Sequence, residues 1–589
     1  MKSFFKYLLA SILGVMIAGL LLFFIFIGII SAMVSSQDKP VDVKKNSVLL
    51  LKLNQSIHDR KPSMPLFFSD ITSLSAETAL GLNEILSCID KARLDTNIRG
   101  IYLELSNIQA GIATVEEIRN ALIDFKKSGK FIVAFSNAFS QKSYYLASVS
   151  DKLYLNPEGS LNFVGLSAEL MFFKKTLEKL DIEPEVIRHG KFKSAVEPFM
   201  YDKMSPENRE QIKTYVGSIW NHMVEQIGIS RNIPVAKLND FADSLLMWNN
   251  ESSIRYGMIN ALLYKDQVLD TLANLVHISK AKDLSLITLQ KYVKAPKSKS
   301  DKGYAREKIA VIYAEGDIVV GEQGEGYIGS EKIARTIRNA RQDSSIKAIV
   351  FRVNSGGGSA LASEVIWREL SLARQVKPVI ASMGDVAASG GYYIVAAADT
   401  IVANPNTITG SIGVFGLLVN AEDFMENKLG VTTDVEKTNA YSDFGSIFRP
   451  LTGTERMVLQ NMVDETYKTF VSHVSDGRKL PYESVDQIGE GRVWSGTNAQ
   501  DRKLVDVMGG LNDAVDIAAK KAGLDNYRIV ELPKQEDPFT QVMKELTGDV
   551  RERLIRKELS EFYPQYRAMK EMLSGDRIQA KLPFEVRIH

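Results

Sequence analysis

One sequence pattern occurs twice in the chain, and this repetition constrains the fold more than any other feature. The stretch GLNEILSCIDKARLDTNIRGIYLEL begins at Gly81, and GSEKIARTIRNARQDSSIKAIVFRV begins at Gly329. At the same offset, the Tyr-Tyr pair of residues 144–145 recurs at residues 392–393. Agreement over so long a span without a net shift indicates a tandem duplication, with a period far above that of a solenoid repeat.

Both copies alternate strand-like and helix-like segments. Short runs rich in β-branched and aliphatic residues at 47–54 and 309–315 predict strands. Ile85 and Ile89 then recur at helical spacing in the first copy, followed by the buried-strand pattern IYLEL. Because strands that alternate with helices form crossover units, each copy is predicted to be α/β with parallel strands.

An uncharged apolar stretch lies near the N-terminus. Residues 7–34 contain no formal charge, and about 20 apolar residues suffice to span a bilayer. The stretch is longer than the apolar core of a cleaved signal peptide, so it predicts an uncleaved anchor in the lipid bilayer. Lys2 and Lys6 favour a cytoplasmic N-terminus, which puts the large C-terminal part outside the cytoplasm. Three lysines that follow the stretch weaken this topology: Lys39, Lys44 and Lys45.

These features divide the chain into five segments. They are an anchor and juxtamembrane segment (1–46), a first repeat (47–277), a Lys- and Ser-rich linker (278–307), a second repeat (308–525) and a charged, partly helical tail (526–589).

Composition excludes several classes of function. The 72 basic and 71 acidic residues leave a net charge of +1, so no nucleic-acid partner is expected. The single cysteine, Cys88, excludes an intramolecular disulfide and a cysteine cluster for a metal. The six histidines show no H-E-x-x-H spacing. We therefore expect neither a metal nor a cofactor.

The two copies have lost different residues. The second copy has a glycine turn at 356–358 and a small-residue segment, MGDVAASGGYY, around Ser389, where the first copy has Gln141. Conversely, the first copy has Lys193 in HGKFKSAVEPF, where the second copy has Tyr441. This complementary loss predicts one composite site to which each copy contributes one half.

A serine and a lysine can act together as nucleophile and base. The hydroxyl of Ser389 is a weak nucleophile that needs a base. Lys193 can be that base if burial keeps its amine neutral near pH 7, and a Ser-Lys pair is a known variant of the serine triad. N–H groups around Gly357, Gly358 and Gly390 are suitable donors to the oxyanion that forms during acyl transfer.

Each residue also has a simpler interpretation. Ser389 alone fits a helix cap, Lys193 alone fits a surface lysine, and the glycine turn alone fits an ordinary strand-to-helix connection. His189 is an alternative candidate for the base, but nothing near it in the sequence would orient it. Two other functions compete with a hydrolase: a non-catalytic scaffold that binds apolar peptides, and a crotonase-type enzyme acting on acyl thioesters.

These residues resemble a known family, the signal peptide peptidase A or protease IV group of membrane-anchored serine peptidases. GKFKSAVEPF resembles its lysine motif and GDVAASGGYY its serine motif, while NPNTITGSIGVFG and GRVWSGTNAQDRKLVDVMGG are similar to its later motifs. The likeness runs from about residue 47 to 525. Gly356 departs from the family, which commonly has proline there, and the change adds a backbone N–H.

The resemblance implies a fold and an activity. The implied fold is a tandem pair of crotonase-like or Clp-protease-like domains, each a spiral of ββα units, behind an N-terminal transmembrane helix. The implied roles are Ser389 as nucleophile, Lys193 as base and Ser411 as a residue that orients the lysine. The implied enzyme is a homotetramer at the bacterial inner membrane, with its catalytic part on the periplasmic side, that degrades signal-peptide remnants and other short apolar peptides.

Overall fold

The computed structural model describes residues 2–37, 41–62, 79–296, 305–324, 326–535 and 578–582. Strands β1 to β9 are Ser47–Leu51, Ile57–His58, Leu80–Gly81, Ile98–Leu105, Phe131–Phe139, Lys152–Leu161, Glu183–Arg188, Ala261–Leu262 and Leu286–Thr288. Strands β10 to β22 are Lys308–Glu315, Asp317–Val319, Tyr327–Gly329, Ile346–Ser355, Gly357–Ser359, Val379–Ala388, Thr400–Ala403, Ile408–Gly410, Phe415–Asn420, Val493–Ser495, Val507–Met508, Arg528–Leu532 and Ile578–Lys581.

The helices alternate with these strands. Helices α1 to α9 are Lys2–Gln37, Leu82–Leu94, Ile112–Lys126, Gln141–Ala147, Lys174–Lys179, Glu197–Met200, Pro206–Arg231, Val235–Asp243 and Asn250–Arg255. Helices α10 to α18 are Lys265–Leu275, Leu289–Val293, Ser330–Gln342, Ala360–Arg374, Gly390–Val395, Gly453–Arg478, Tyr482–Ile488, Gly496–Asp501 and Leu511–Lys521.

The first repeat is built on a parallel sheet with the order β8-β6-β5-β4-β1-β9. All its strand pairs are parallel. Every residue of β1 is buried, as expected of a strand covered on both faces. Ile85 and Ile89 of α2 are buried in the same core, so the helical spacing in the sequence marks the face that packs on the sheet.

The second repeat reproduces this arrangement. Its main sheet has the order β19-β17-β15-β13-β10-β21, and β16 joins β15 to β20. The pairing of β10 with β13 corresponds to that of β1 with β4, and both pairs are parallel. Among the described strands of this sheet, only β19 runs antiparallel to its neighbour. The expected α/β architecture with mostly parallel strands is confirmed.

A third sheet joins the two repeats. Its order is β12-β11-β14-β22-β18-β7, and β7 is the member contributed by the first repeat. Strand β7 pairs antiparallel with β18 from Arg188 opposite Phe415 to Glu183 opposite Asn420. This pairing brings the segment after β7, which contains Lys193, to the second repeat.

A buried ionic cluster also connects the repeats. The guanidinium of Arg352 in β13 donates to Asp59 and to Glu117, both of the first repeat, at 2.7 Å. All three side chains are buried. Burial lowers the pKa of Arg352, but the two carboxylates together raise it by more, so its pKa lies above its usual value. The cluster links the loop before α2 and helix α3 to the central strand of the second sheet.

The segment boundaries differ in part from those expected from the sequence. Strand β9 and helix α11 lie within residues 278–307, expected to be a linker, yet β9 pairs with β1 of the first sheet. Strand β21 lies within the expected tail, 526–589, and pairs with β10. Strand β22, from the same tail, is a central member of the third sheet. Pairing across long sequence separations decides these memberships, and local composition does not encode it.

Helix α1 covers the whole of the apolar N-terminal stretch, residues 7–34. Its side chains at residues 6–22 are exposed, and those from residue 26 to its end are not described. Within the part of the chain that is described, no helix is both long and apolar enough to cross a membrane.

Candidate active site

Lys193 lies in a tight turn after β7. Gly190 has φ +92°, and a Cβ there would stand 2.4 Å from the carbonyl oxygen of Glu490, so this position requires glycine. The N–H of Phe192 donates to the same Glu490 carbonyl at 3.0 Å. The turn therefore packs against the backbone of the second repeat, and Lys193 is completely buried there.

Ser389 occupies the sharp turn between β15 and α14. Its φ is 54° and its ψ is −117°, a conformation that costs a non-glycine residue on the order of 1–3 kcal/mol. Gly391 allows the turn to approach β13, because a Cβ on it would stand 2.5 Å from the carbonyl oxygen of Ser355. The Ser389 N–H donates to the carbonyl of Gly410 at 2.8 Å, which anchors the turn.

The two predicted residues are in direct contact. Lys193 Nζ lies 2.8 Å from Ser389 Oγ, and both side chains are completely buried. The same amine lies 3.1 Å from Ser411 Oγ and 3.4 Å from the Ser411 carbonyl oxygen. Lys193, Ser389 and Ser411 belong to one chain, so the cluster forms without a second subunit.

Burial sets the electrostatics of this cluster. Removal from water lowers the pKa of Lys193 well below its ordinary value. The centroid of the Phe415 ring is 6.0 Å from Nζ, a distance at which a ring offers weak stabilisation of a cation. A neutral amine accepts a proton from a hydroxyl, which is what a general base must do.

The three glycines predicted to bind the oxyanion make different backbone contacts near Ser389. The Gly357 N–H donates to Ser355 Oγ at 3.1 Å, so this donor already has a partner in its own loop. Gly358 pairs with Ile318 of β11. Gly390 begins α14, and its nitrogen stands 2.7 Å from where a Cβ on Gly357 would be. The backbones of Gly357 and Gly390 thus lie close together beside Ser389.

The corresponding position in the first repeat is filled. Gln141 replaces the serine, and its Oε1 accepts from the N–H groups of Val164 and Gly165 at 3.0 and 2.9 Å. Its Nε2 donates to the Gly165 carbonyl at 2.9 Å. Tyr441, the second-repeat residue opposite Lys193, is half exposed. In the first repeat, the serine is therefore replaced by a glutamine with a structural role. In the second repeat, the lysine is replaced by a tyrosine on the surface.

His189 does not take the place of the lysine. Its Nδ1 lies 2.8 Å from Asp464 Oδ1, and its ring stacks on Tyr467 at 3.9 Å between centroids. These contacts tie the end of β7 to helix α15.

Gln211 of α7 is a positioning residue that sequence reasoning missed. Its Nε2 donates to the Phe192 carbonyl at 3.1 Å and to Ser194 Oγ at 2.9 Å, on either side of Lys193. Its Oε1 accepts from the N–H of Val493 at 3.1 Å. No pattern in the sequence indicated this role.

Comparisons with known proteins show the family of the chain. Residues 124–279 and 371–525 each match Peptidase family S49. The chain belongs to peptidase family S49. The two matches fall in the two repeats, which confirms the duplication and the double-domain form of the signal peptide peptidase A family. The chain is therefore a serine peptidase.

Relatives that match most of the chain support the same assignment. Protease 4 of Salmonella typhi is 36% identical over 479 residues, covering 80% of this chain and 76% of the relative. Serine protease SPPA, chloroplastic, of Arabidopsis thaliana is 32% identical over 86% of this chain and 74% of the relative. Among solved structures, a ClpP1 mutant from Listeria monocytogenes matches 35% of this chain and 94% of its own at 15% identity, with a TM-score of 0.24.

Proposed function

We propose that this S49 peptidase is an endopeptidase that uses Ser389 as nucleophile and Lys193 as general base. One observation carries the proposal: the 2.8 Å contact between two completely buried groups from different repeats. Burying a charged lysine amine costs folding free energy, because the amine loses its hydration. A buried lysine is therefore expected to be neutral. The lowered pKa of Lys193 meets this condition.

The proposed reaction begins with proton transfer from Ser389 Oγ to Lys193 Nζ. The hydroxyl oxygen attacks the peptide carbonyl, and the Gly390 N–H together with the glycine loop stabilises the oxyanion. Lys193 then gives its proton to the leaving amine, and an acyl-enzyme remains. Water activated by Lys193 hydrolyses the ester. Ser411, 3.1 Å from Nζ, keeps the amine oriented throughout.

The substrates proposed for this site are short apolar peptides, including signal-peptide remnants. The apolar stretch of residues 7–34 would anchor the chain in the bacterial inner membrane, with the catalytic part on the periplasmic side. The same proposal includes a ββα spiral in each repeat and a homotetramer. The tetramer is not needed to complete the dyad, since both residues belong to one chain.

Labelling with a serine-directed acylating probe tests this function. The full chain is expected to gain one acyl group, located at Ser389 by peptide mass spectrometry, and the Ser389→Ala variant is expected to gain none there. A chain that binds apolar peptides but is never acylated would be a scaffold instead. Tight coenzyme A binding without peptide cleavage would indicate a crotonase-type enzyme.

A further inference from the structure

The backbone of residues 490–492, just before β19, holds the lysine turn. The carbonyl of Glu490 accepts a hydrogen bond from the N–H of Phe192 at 3.0 Å. Gly491 lies so close to the turn that a Cβ on it would stand 2.6 Å from the Cα of Lys193. The φ of Gly491, +84°, also favours glycine over other residues. The position of this segment therefore fixes where the main chain of Lys193 lies.

The same segment holds Ser411. The carbonyl of Arg492 accepts from the N–H of Ser411 at 2.7 Å, and the N–H of Gly491 donates to the carbonyl of Ile412 at 2.7 Å. Ser411 has φ +50°, a conformation that a residue other than glycine keeps only where its surroundings hold it. A displacement of the segment would therefore move Ser411 and Lys193 together.

Tyr467 of α15 fixes the start of this segment. Its side chain is buried, and its hydroxyl accepts from the N–H of Glu490 at 3.1 Å. The same hydroxyl donates to Asp486 Oδ1 at 2.6 Å. Burial and this carboxylate raise the pKa of Tyr467, so the hydroxyl keeps the proton that it donates. Glu490 has φ +48°, which is strained for a residue other than glycine, and the hydrogen bond to Tyr467 helps to hold it there.

His189 holds the ring of Tyr467. The imidazole and the phenol ring are stacked, with their centroids 3.9 Å apart and their planes 22° apart. Nδ1 of His189 lies 2.8 Å from Asp464 Oδ1, and its main-chain N–H donates to the Val414 carbonyl at 3.1 Å. The stack therefore fixes the orientation of the Tyr467 ring, and with it the direction in which the hydroxyl points.

We propose that Tyr467 is a positioning residue for the peptidase reaction, which acts through residues 490–492 to keep Lys193 against Ser389. The inference rests on the proposed function and adds a residue to its machinery. Loss of the hydroxyl lets Glu490 relax from its strained conformation, and the lysine turn moves with it. A small displacement of a general base from its nucleophile is enough to slow proton transfer severely.

Steady-state kinetics of the Tyr467→Phe variant test the inference. The substitution removes the hydroxyl and keeps the ring that stacks on His189. Its kcat for an apolar peptide is expected to fall about tenfold to a hundredfold, with little change in KM, because the change affects the base and not the binding of the peptide. The rate at which a serine-directed probe acylates Ser389 is expected to fall by the same factor.

Tyr144→Phe is the matched control. It removes the hydroxyl of another buried tyrosine, which donates to the Met258 carbonyl at 2.9 Å in the first repeat. This variant is expected to lower the thermal midpoint about as much as Tyr467→Phe does, and to leave kcat unchanged. A role of Tyr467 in stability alone would make the two variants alike in both measurements.

A second substitution separates positioning from a general loss of stability. Glycine adopts a positive φ without strain, so Glu490→Gly added to Tyr467→Phe is expected to hold the segment in place and recover most of the lost kcat. Lys479→Gly is the control for this rescue. Lys479 is exposed and has φ +54° at the end of α15, so glycine relieves the same kind of strain there without contacting the lysine turn.

Two results would overturn the inference: equal kcat values for Tyr467→Phe and Tyr144→Phe, or a rescue by Glu490→Gly no greater than that by Lys479→Gly. In both cases the proposed function stands if the unaltered chain cleaves the peptide and is acylated at Ser389. If the unaltered chain is never acylated at Ser389, the proposed function and the inference fail together.

Discussion

Lys193 Nζ and Ser389 Oγ lie 2.8 Å apart, although the two residues come from different repeats of a duplicated chain. The antiparallel pairing of β7 with β18 creates this proximity. Each repeat alone lacks half of the pair, since Gln141 replaces the serine in one and Tyr441 the lysine in the other. The duplication therefore produced one site from two copies.

Removing either member of the pair should abolish peptidase activity. Ser389→Ala and Lys193→Met are each expected to lower kcat/KM for an apolar peptide about a thousandfold or more, as for other serine hydrolases that lose a reacting group. Lys191→Met is the matched control, because that lysine is exposed two residues away and pairs with Glu490. Full activity in either dyad variant, or equal loss in Lys191→Met, would contradict the assigned roles.

The pH dependence of kcat/KM should reflect the pKa of Lys193. Burial lowers the pKa of Lys193, and the base must be neutral. Activity is therefore expected to rise as pH rises through this lowered pKa and to be lost in acid. The measurement is a pH–rate profile of kcat/KM. A midpoint near the ordinary lysine value of about 10.4 would show that burial does not tune this amine.

The lowered pKa of Lys193 should also make the stability of the folded chain depend on pH. Because the pKa of Lys193 is lower in the folded chain, the unfolded chain binds more protons between the lowered pKa and about 10.4. Lys193→Met removes the cost of burying the amine, so it is expected to raise the thermal midpoint. The gain should be largest at low pH and shrink as pH rises toward about 10.4. A gain that does not change with pH would reflect packing alone.

Ser411→Ala tests the orientation of the lysine. Its hydroxyl lies 3.1 Å from Nζ in a completely buried site. Losing this partner is expected to reduce kcat about tenfold to a hundredfold, with little change in KM. Ser442→Ala, an exposed serine of the same repeat, is the control. A change confined to KM would place Ser411 in substrate binding instead.

The glycine loop offers a closely matched pair of variants. Gly357→Ala places a methyl group 2.0 Å from the Ala580 carbonyl oxygen at a residue with φ +102°, so activity is expected to fall about a hundredfold or more. At Gly356 the added Cβ meets nothing closer than Leu582, at 3.6 Å. Gly356→Ala is therefore expected to keep its activity. Equal kcat/KM values for the two variants would argue against a role for this loop.

The ionic cluster between the repeats should matter for stability. Arg352→Met leaves Asp59 and Glu117 as buried carboxylates without their cation, a change that typically costs about 3–5 kcal/mol. The expected result is a lower thermal midpoint by calorimetry. The control is Arg335→Ala, an exposed residue paired with Glu322, which should leave the midpoint unchanged. An unchanged midpoint in Arg352→Met would mean that the cluster does not join the repeats.

Much of the site could be predicted from the sequence because the duplication provides an internal comparison. Opposing losses singled out Lys193 and Ser389, and the structure brings these residues together. Gln211 could not be found in this way. Its role follows from the groups that it contacts in the folded chain, and these contacts leave no pattern in the sequence. The same holds for Leu286–Thr288 and Ile578–Lys581, whose sheet partners lie far away in the chain.

The sequence by itself determined the alternation of strands and helices, the duplication, and which residue types each copy kept. These properties follow from local spacing and from comparison of one copy with the other. Only the tertiary structure decided that β7 pairs with β18 and that β22 lies beside the glycine loop. The physical reason is that backbone groups pair wherever the packed chain brings strand edges together, and this pairing carries no period that could be recognised in the sequence.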